Sequence, residues 1–554
     1  MMASWYRTLW LGGLLFLPAW ATLEEVFQVY QPVPTEGSGS SACNEEVLLM
    51  DYVFGESYGE PYIGFYEPPL CDFDTVRINF TVSSRGTQYD RLGLMYLGDT
   101  EVFRTSTAEP TSNGIIWTYV KDMSQFNVLW KEKQKLIFDL GNIVTDVYTG
   151  SYNTTLTAYF SYEGNVKTPD AILPISARKS AQNASSDFEL PTDNATVQYQ
   201  FPPTTSRAVV SISACGQSTE EFWWSNVFTS DEWSFDSVDG ELYGYSPFRE
   251  IQLYIDGILA GVVWPFPIIF TGGVAPGFWH PIVGIDAFDL RQPEIDISPF
   301  LPLLTDNRTH TFEIKITGLD VSDDGEVTFS DTVGSYWVVT GTIFLYLDES
   351  ASYSSAGGQA PEVIAPAPTF TATRELVQDS TGVNETLTYS ILAERTLTVK
   401  SSEFVWSQNL SYSNYGLINQ EGLSQSNLQH TFGKFSIAQL TGNKTSSEVI
   451  FEYPLFMNET YGLLADDGLT ISAWMHRGLD IESTGGLGVS TFTLTSGPLD
   501  LHTEQKGTAF YESTTNVSIS TGDTTDFFES NAAGVTYHRD VHAVNGSVVY
   551  DTVS

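Results

Sequence analysis

The sequence predicts an all-β protein built from antiparallel sandwiches. Three observations carry that expectation. Apolar runs are short and alternate with polar residues, the period of a half-buried strand. Turn-forming Gly, Pro, Asn and Asp recur between them, and Thr, Ser, Tyr and Val are plentiful. Nowhere does an amphipathic pattern run beyond two or three helical turns. The 554 residues suit roughly two to four domains. Of these residues 42% are hydrophobic and 14% aromatic, enough to bury several cores.

Taken in order, residues 1–21 read as a secretory signal. Arg7 precedes an apolar run, 9–17, too short to span a bilayer, and Ala19-Trp20-Ala21 is a small-x-small cleavage site. Residues 24–165 form a first β-domain. Within it Ile78, Phe80 and Val82 alternate with Arg77, Asn79 and Thr81. A polar turn at 83–88 follows, and Tyr89-Asp90-Arg91 leads into a strand at 92–97. Gly98-Asp99 turns the chain back into a strand at 102–105. Strands at 136–140 and 154–162 close the domain. Residues 166–348 form a second domain, opening on a polar crossing to 194. Its strands are expected at 197–201, 208–214, 251–255, 262–266, 310–316 and 336–347. Residues 349–367 are rich in Ser, Gly, Ala and Pro and read as a linker. A third β-rich domain, 368–554, has strands expected at 387–393, 395–399, 489–494 and 548–550.

Two clusters carry candidate chemistry. Asp90 sits where a loop enters a strand, a place that holds a carboxylate rigidly and leaves it reachable. An Asp there is equally an ordinary turn cap or a partner for Arg91. In 218–226, Glu220 and Glu221 lie against Phe222, Trp223 and Trp224. Alone, this reads as a loop whose aromatics pack inward and whose glutamates are solvated.

The strings TQYDRLGLMYL, EVFRTSTAEPTSNGIIWTYVKDMS, TEEFWWSN and PFREIQLYIDGILAGVVWPFPIIFTGG, with PGFWHPIVGIDAFDLRQPEIDISPF, change the weighting. In this order they resemble the peptide-N-glycosidase A family, amidases that remove N-linked glycans from asparagine. Peptide-N-glycosidase F is a more distant likeness. The resemblance is close over about residues 25–350 and looser beyond. It implies two adjacent jelly rolls with the site near their junction. It also implies Asp90, in the aromatic-Asp-Arg step, and Glu221, directly before Phe222, as the catalytic pair, with Glu220 the alternative. Amide hydrolysis needs an activated water or a nucleophile and a proton for the leaving amine. Two carboxyls in opposed environments supply both. Weaker candidates for substrate contact are Arg91, Glu109, Trp117, Glu220, Trp223, Trp264 and Trp279, the last beside the Thr271-Gly272-Gly273 turn. Each Trp reads equally as core, and Glu109 as part of a turn before Pro110. The chain departs from the bacterial pattern twice. Gly141-Asn142 stands where a third glutamate is expected, and no arginine falls within 279–286.

The remaining features bound the class. A net charge of −43 repels nucleic acid and anionic membranes. Sequons begin at Asn79, Asn153, Asn183, Asn194, Asn307, Asn384, Asn409, Asn443, Asn458, Asn516 and Asn545, a density that points to a glycosylated, extracellular protein. Of three cysteines, Cys43 and Cys71 share one region and are the candidate disulfide; Cys215 is then a buried free thiol. Phosphate-loop, dinucleotide, nucleophile-elbow and HExxH patterns are absent. Asp320, Asp323, Asp324 and Glu326 read as a hairpin turn rather than a calcium loop. No cofactor, metal or membrane anchor is expected. The expected protein is a secreted monomeric glycoamidase acting on N-glycosylated peptides and glycoproteins. A carbohydrate-binding protein on the same scaffold, or an endoglycosidase using the same carboxyl pair, stands as the alternative.

Overall fold

The computed structural model describes residues 23–32, 43–164, 168–349 apart from 237, 239 and 323, 358–441, 446–464, 468–485, 499–515, 518–532 and 535–554. The expected leader, residues 350–357 of the expected linker, the strand expected at 489–494, and Asn443 and Asn516 lie outside the described residues.

The first sandwich pairs a five-stranded sheet with a four-stranded one. The five strands run Glu24–Glu25, Ile115–Asp122, Thr75–Ser84, Tyr152–Ser161, Asn44–Phe54 in spatial order, and the four run Tyr62–Tyr66, Gln134–Leu140, Leu92–Leu97, Thr100–Ser106. Ile78, Phe80 and Val82 are fully buried, as their alternation requires, and share one core with Met95, Phe103 and Phe138 of the facing sheet. The second sandwich faces Ala171–Ile175, Tyr336–Leu347, Thr205–Gln217 and Glu294–Asp296 against Thr196–Tyr199, His310–Val321, Glu250–Ile255 and Ile258–Val263. The strand expected to reach 266 stops at Val263, because Pro265 has no N–H for the ladder. Beyond Asp320, Gly325 turns the chain with φ +83° and the Ser322 hydroxyl bonds Asp324 and the Glu326 backbone, a hairpin turn.

Two features depart from the expectation. The pairing is not wholly antiparallel: Glu24–Glu25 runs parallel to Ile115-Ile116, and Phe27 bridges to Ile282 of the second sandwich. This N-terminal segment lies across both sandwiches, so its direction is set by what it joins, not by a hairpin. The third region is one 11-stranded sheet whose strands reach 15–18 residues at Asn384–Lys400, Phe404–Asn419, Ser424–Gln439, Ser446–Leu463, Leu469–Gly485, Leu499–Ser513 and Ser518–Ala532. The strands expected at 387–393 and 395–399 are a single one. Glu394 points to solvent in phase with its neighbours, and nothing interrupts the alternation. The buried face of this sheet, with Leu397, Tyr412, Leu455, Met475 and Leu501, shares one continuous core with the second sandwich.

The strand Thr100–Ser106 is buried on both faces because it is the seam between the sandwiches. Glu101 and Arg104 form a bidentate pair there, at 2.7 and 2.8 Å. Arg104 also donates to the Val338 carbonyl at 2.8 Å and to Cys215 Sγ at 3.4 Å, while Thr340 donates to Glu101 at 2.6 Å. Cys215 is free and buried, and its thiol is raised chiefly by that burial, not by Glu220 or Glu221. Cys43 and Cys71 are disulfide-bonded.

Arg104→Met leaves the Glu101 carboxylate buried and unpaired, so stability should fall by about 3–5 kcal/mol. Removing both charges (Glu101→Leu with Arg104→Met) should recover most of it; thermal unfolding of both variants checks this. Because the sheet and second sandwich share a core, a chain cut between Glu349 and Glu362 should yield two fragments that co-elute in native gel filtration. They should separate only in denaturant.

Candidate active site

Asp90 is half-buried at the rim of the first sandwich, and the residues flanking it are pinned from several sides. Gln88 is buried and uses its whole amide. Nε2 donates to the carbonyls of Ile143 (2.9 Å) and Gly150 (3.1 Å), and Oε1 accepts from the Tyr89 N–H (3.1 Å) and Arg91 Nη2 (2.6 Å). Tyr152 donates its hydroxyl to the Tyr89 carbonyl at 2.7 Å. The Arg91 N–H donates to Thr107 Oγ1, and the Thr107 N–H returns a bond to the Arg91 carbonyl. Such a turn fixes the backbone on both sides of Asp90.

Arg91 spreads its guanidinium over neutral partners: Asn142 Oδ1 (3.3 Å), the Tyr58 hydroxyl (3.0 Å) and Gln88. Its charge is therefore not consumed by an ion pair in the turn, and it favours the ionised forms of Asp90 and Glu109 nearby. Asn142 is buried and bonded to the Phe54 and Gly150 carbonyls.

Glu109 follows the seam strand. Its N–H donates to Thr271 Oγ1 at 2.9 Å, and that hydroxyl donates to the Thr107 carbonyl at 3.3 Å, tying the first sandwich to a loop of the second. A Cβ on Gly272 would lie 2.3 Å from Glu109 Oε1, and Gly272 has φ +88°; only glycine lets the carboxyl rest on that backbone. One residue on, a Cβ on Gly273 would lie 2.9 Å from the Phe222 ring. Glu221, beside Phe222, is half-buried at the end of the short turn Ser218–Glu220.

The two adjacent glutamates are sharply divided. Glu220 is fully buried and takes Arg249 at 2.5 and 2.6 Å, Trp337 Nε1 at 2.8 Å and the Gly334 N–H at 2.9 Å. It is an anchor with every lone-pair direction occupied, so the alternative of Glu220 as a site carboxyl is corrected. Anchoring Glu220 inward turns Glu221 toward the cleft.

Asp90, Glu109 and Glu221 thus converge from two sandwiches, and each is held above the ordinary carboxyl range. Asp90 is raised well above it, first by burial, then by the charges of Glu221 and Glu109. Glu109 is pushed to about 8 by burial and by Glu221, and Glu221 to about 7 by burial. Burial and neighbouring negative charge both disfavour an ionised carboxylate, so these groups hold their protons to higher pH than isolated carboxyls.

The expected tryptophan platforms are corrected. Trp117 is buried and stacked on Phe288, with centroids 5.4 Å apart, and Trp223 packs against Trp337. Trp264 donates to Glu250, and Trp279 is fully buried, donating Nε1 to the Gly273 carbonyl at 2.8 Å. Trp279 thus props the rim loop from beneath. The exposed aromatics at the site are tyrosines. Tyr89 is 55% exposed and lies against Tyr148 at 5.3 Å, and Tyr58 lies under the Arg91 guanidinium. Gln88, Thr107, Thr271 and Gly272 were not distinguished by residue type; only the Thr-Gly-Gly turn signal lay nearby.

Two β-sandwiches packed together, with raised carboxyls gathered at the joint, mark the class as a β-sandwich hydrolase. The chain belongs to the family described as "Peptide N-acetyl-beta-D-glucosaminyl asparaginase amidase A", whose model matches residues 32–362. A model for the PNGase_A C-terminal domain matches residues 388–455. The chain is similar to "Peptide-N4-(N-acetyl-beta-glucosaminyl)asparagine amidase A" of Prunus dulcis, 29% identical over 514 residues, covering 84% of this chain and 82% of that one. Among solved structures, PNGase F of Flavobacterium meningosepticum matches with TM-score 0.35 at 13% identity, covering 55% of this chain and 96% of that one. PNGF-II matches with TM-score 0.35 at 12% identity, covering 56% and 66%.

Raised carboxyls destabilise the fold as they ionise. Stability tied to Glu109 is fully present below its unfolded value, near 4.5, and is lost as pH rises through about 8. Glu109→Gln should therefore raise Tm relative to the parent at pH 8 and leave it nearly unchanged at pH 4. Calorimetric scans at the two pH values check this.

Proposed function

We propose that this chain hydrolyses the amide bond between N-acetylglucosamine and asparagine in N-glycosylated peptides, releasing the glycan as a glycosylamine and leaving aspartate. The family membership supports the reaction class. The observation that carries the residue assignment is the convergence of Asp90 and Glu221 from separate sandwiches, with Glu221 raised by burial and Asp90 raised by burial and by the Glu221 charge. Ionised Glu221 takes a proton from water, and the water oxygen attacks the side-chain carbonyl carbon. Asp90, protonated, gives its proton to the nitrogen as the C–N bond breaks. The proton on Glu221 then returns to Asp90 through the shared cluster, with Glu109 as the third member. Arg91 and the Gly272 backbone border the same cleft and are the polar groups available to the sugar or amide.

The disulfide and the sequons support an oxidising, extracellular setting. Among the described residues, no helix is long and apolar enough to cross a membrane. Secretion through the expected leader, glycosylation at the sequons and a monomeric state are part of the same proposal.

Product analysis on a defined glycopeptide decides the reaction. An amidase leaves aspartate and an intact chitobiose core. An endoglycosidase leaves one sugar on asparagine, and a binding protein changes nothing. Asp90→Asn, nearly isosteric, should keep fold and glycopeptide binding and lose about 10²–10⁴-fold in kcat. Glu221→Gln should also lose rate, and the double variant should be little worse than the worse single one. Near-normal turnover by Asp90→Asn would remove Asp90 from the mechanism.

A further inference from the structure

The C-terminal sheet reaches the cleft. Its strand Leu499–Ser513 runs across the loop that follows the Thr271-Gly272-Gly273 rim, and the contacts progress in register. Gln505 Nε2 donates to the Val283 carbonyl at 3.0 Å. A Cβ on Gly507 would meet the Phe278 ring at 3.2 Å, and one on Gly277 would meet Ala509 Cβ at 3.2 Å. From the neighbouring strand, Thr524 donates to the Phe278 carbonyl at 3.0 Å. A Cβ on Gly522 would lie 2.0 Å from the Gly277 carbonyl oxygen, so the two backbones touch. Positions 505, 507 and 509 thus step from 283 back toward 277. The next residue on that face is Tyr511, about 6–7 Å further along. It comes toward the rim that holds Glu109 and Phe222.

Burial follows the same path. Thr503, Gln505 and Ala509 are buried, whereas Tyr511 is half-exposed where the inner face opens. From the opposite side come Tyr89 and Tyr148, whose rings touch; Tyr89 lies within electrostatic range of both Glu109 and Tyr511. Three tyrosines from three parts of the chain are therefore brought near one another, with Glu109 in range of Tyr89. The Tyr511 hydroxyl accepts from Ser518 Oγ at 3.3 Å, leaving the ring face free of that bond.

We propose that Tyr511 is a glycan-binding residue: the C-terminal sheet forms the outer wall of the substrate site, and Tyr511 with Tyr89 stacks on a sugar beyond the one joined to asparagine. This rests on the glycoamidase reading. A pyranose has an apolar C–H face and a polar edge. A tyrosine offers a flat apolar ring with a polar tip, so a lining of tyrosines fits a sugar better than an apolar side chain. Asp90 acts at the bond to the first sugar, and Tyr89 is its chain neighbour. Tyr511, beyond Tyr89, meets the next ring outward.

The test measures Kd by calorimetry on full-length protein carrying Asp90→Asn, so that bound substrate persists. One peptide is used in two forms, with a complete N-glycan and trimmed to a single N-acetylglucosamine. Adding Tyr511→Ala should weaken binding of the complete form about tenfold, the size expected for truncating an aromatic anchor. The ratio between the two forms should fall by the same factor. Tyr511→Phe should restore most of it, and Tyr511→Leu should not. The Leu variant also stands in should the Ala variant fail to fold. An equal change for both forms would assign Tyr511 to the peptide or to folding, and no change for either would remove it from the site; each result overturns the proposal. Glycan release by the parent enzyme is measured in parallel. Its failure would sink the glycoamidase reading, whereas release by the parent with Tyr511→Ala silent would sink only this inference.

Discussion

The buried Glu101–Arg104 pair holds part of the seam between the two sandwiches, alongside the buried Lys121–Asp289 pair that bridges it. Glu101 and Arg104 are almost wholly excluded from water, and each also bonds across the seam, to Thr340, Val338 and Cys215. Two charges in such a place are tolerated only when their hydrogen bonds are nearly complete. That demand fixes the register of Thr100–Ser106 against Tyr336–Leu347 in a way that apolar packing alone would not. Asp90 enters Leu92–Leu97 and Glu109 leaves Thr100–Ser106 at the same open end of their hairpin, where Leu92 pairs with Ser106, and Glu221 follows the end of Thr205–Gln217. The placement of candidates from different sandwiches therefore depends in part on groups away from them, this pair and the Thr271 hydroxyl bonded to Glu109 and Thr107.

How far the sequence revealed this varied by residue. Alternation around Ile78 disclosed the strand leading to Asp90, and the polar turn before it disclosed the rim. The assignment of Glu221 over Glu220 came from resemblance, because two adjacent glutamates before an aromatic are indistinguishable by pattern. What separates them is Arg249, 29 positions away, which no local rule connects to Glu220. The tryptophans misled for a related reason. In a chain this rich in sheet, the largest rings fill the space where sheets meet, and all four candidates did so. Residue type suggested sugar stacking, but burial is a tertiary property. The single long strand over 384–400 was hidden by Glu394, a charge that reads as a break until its phase is counted.

Proton economy follows from this geometry. Asp90, Glu109 and Glu221 are gathered where Arg91 is the nearby cation, and Arg91 is already spread over neutral partners. Burial disfavours the ionised form of each carboxyl, and neighbouring carboxylates add to it at Asp90 and Glu109, so protons stay bound at pH values where isolated carboxyls would be bare. A hydrolase that must deprotonate water and protonate an amine gains from keeping that proton inside the cleft. The cost is electrostatic strain at neutral and higher pH, added to the self-repulsion of a chain with net charge −43. Both effects relax in the same direction as pH falls.

The C-terminal sheet answers a mechanical need that the sandwiches leave open. The rim loop carrying Gly272 is where Glu109 and Phe222 rest, and a loop pressed that closely by two side chains needs support from behind. Trp279 supplies part of it from below through the Gly273 carbonyl. The rest comes from Gly277, whose backbone lies directly on Gly522, with Thr524 bonded to the next carbonyl. Glycine at both contact points allows main chain to meet main chain, the stiffest contact available without a covalent bond. Side-chain packing would let the loop breathe by rotamer changes. Backbone apposition does not, so the carboxyl resting on Gly272 inherits its position from a strand more than two hundred residues later in the chain.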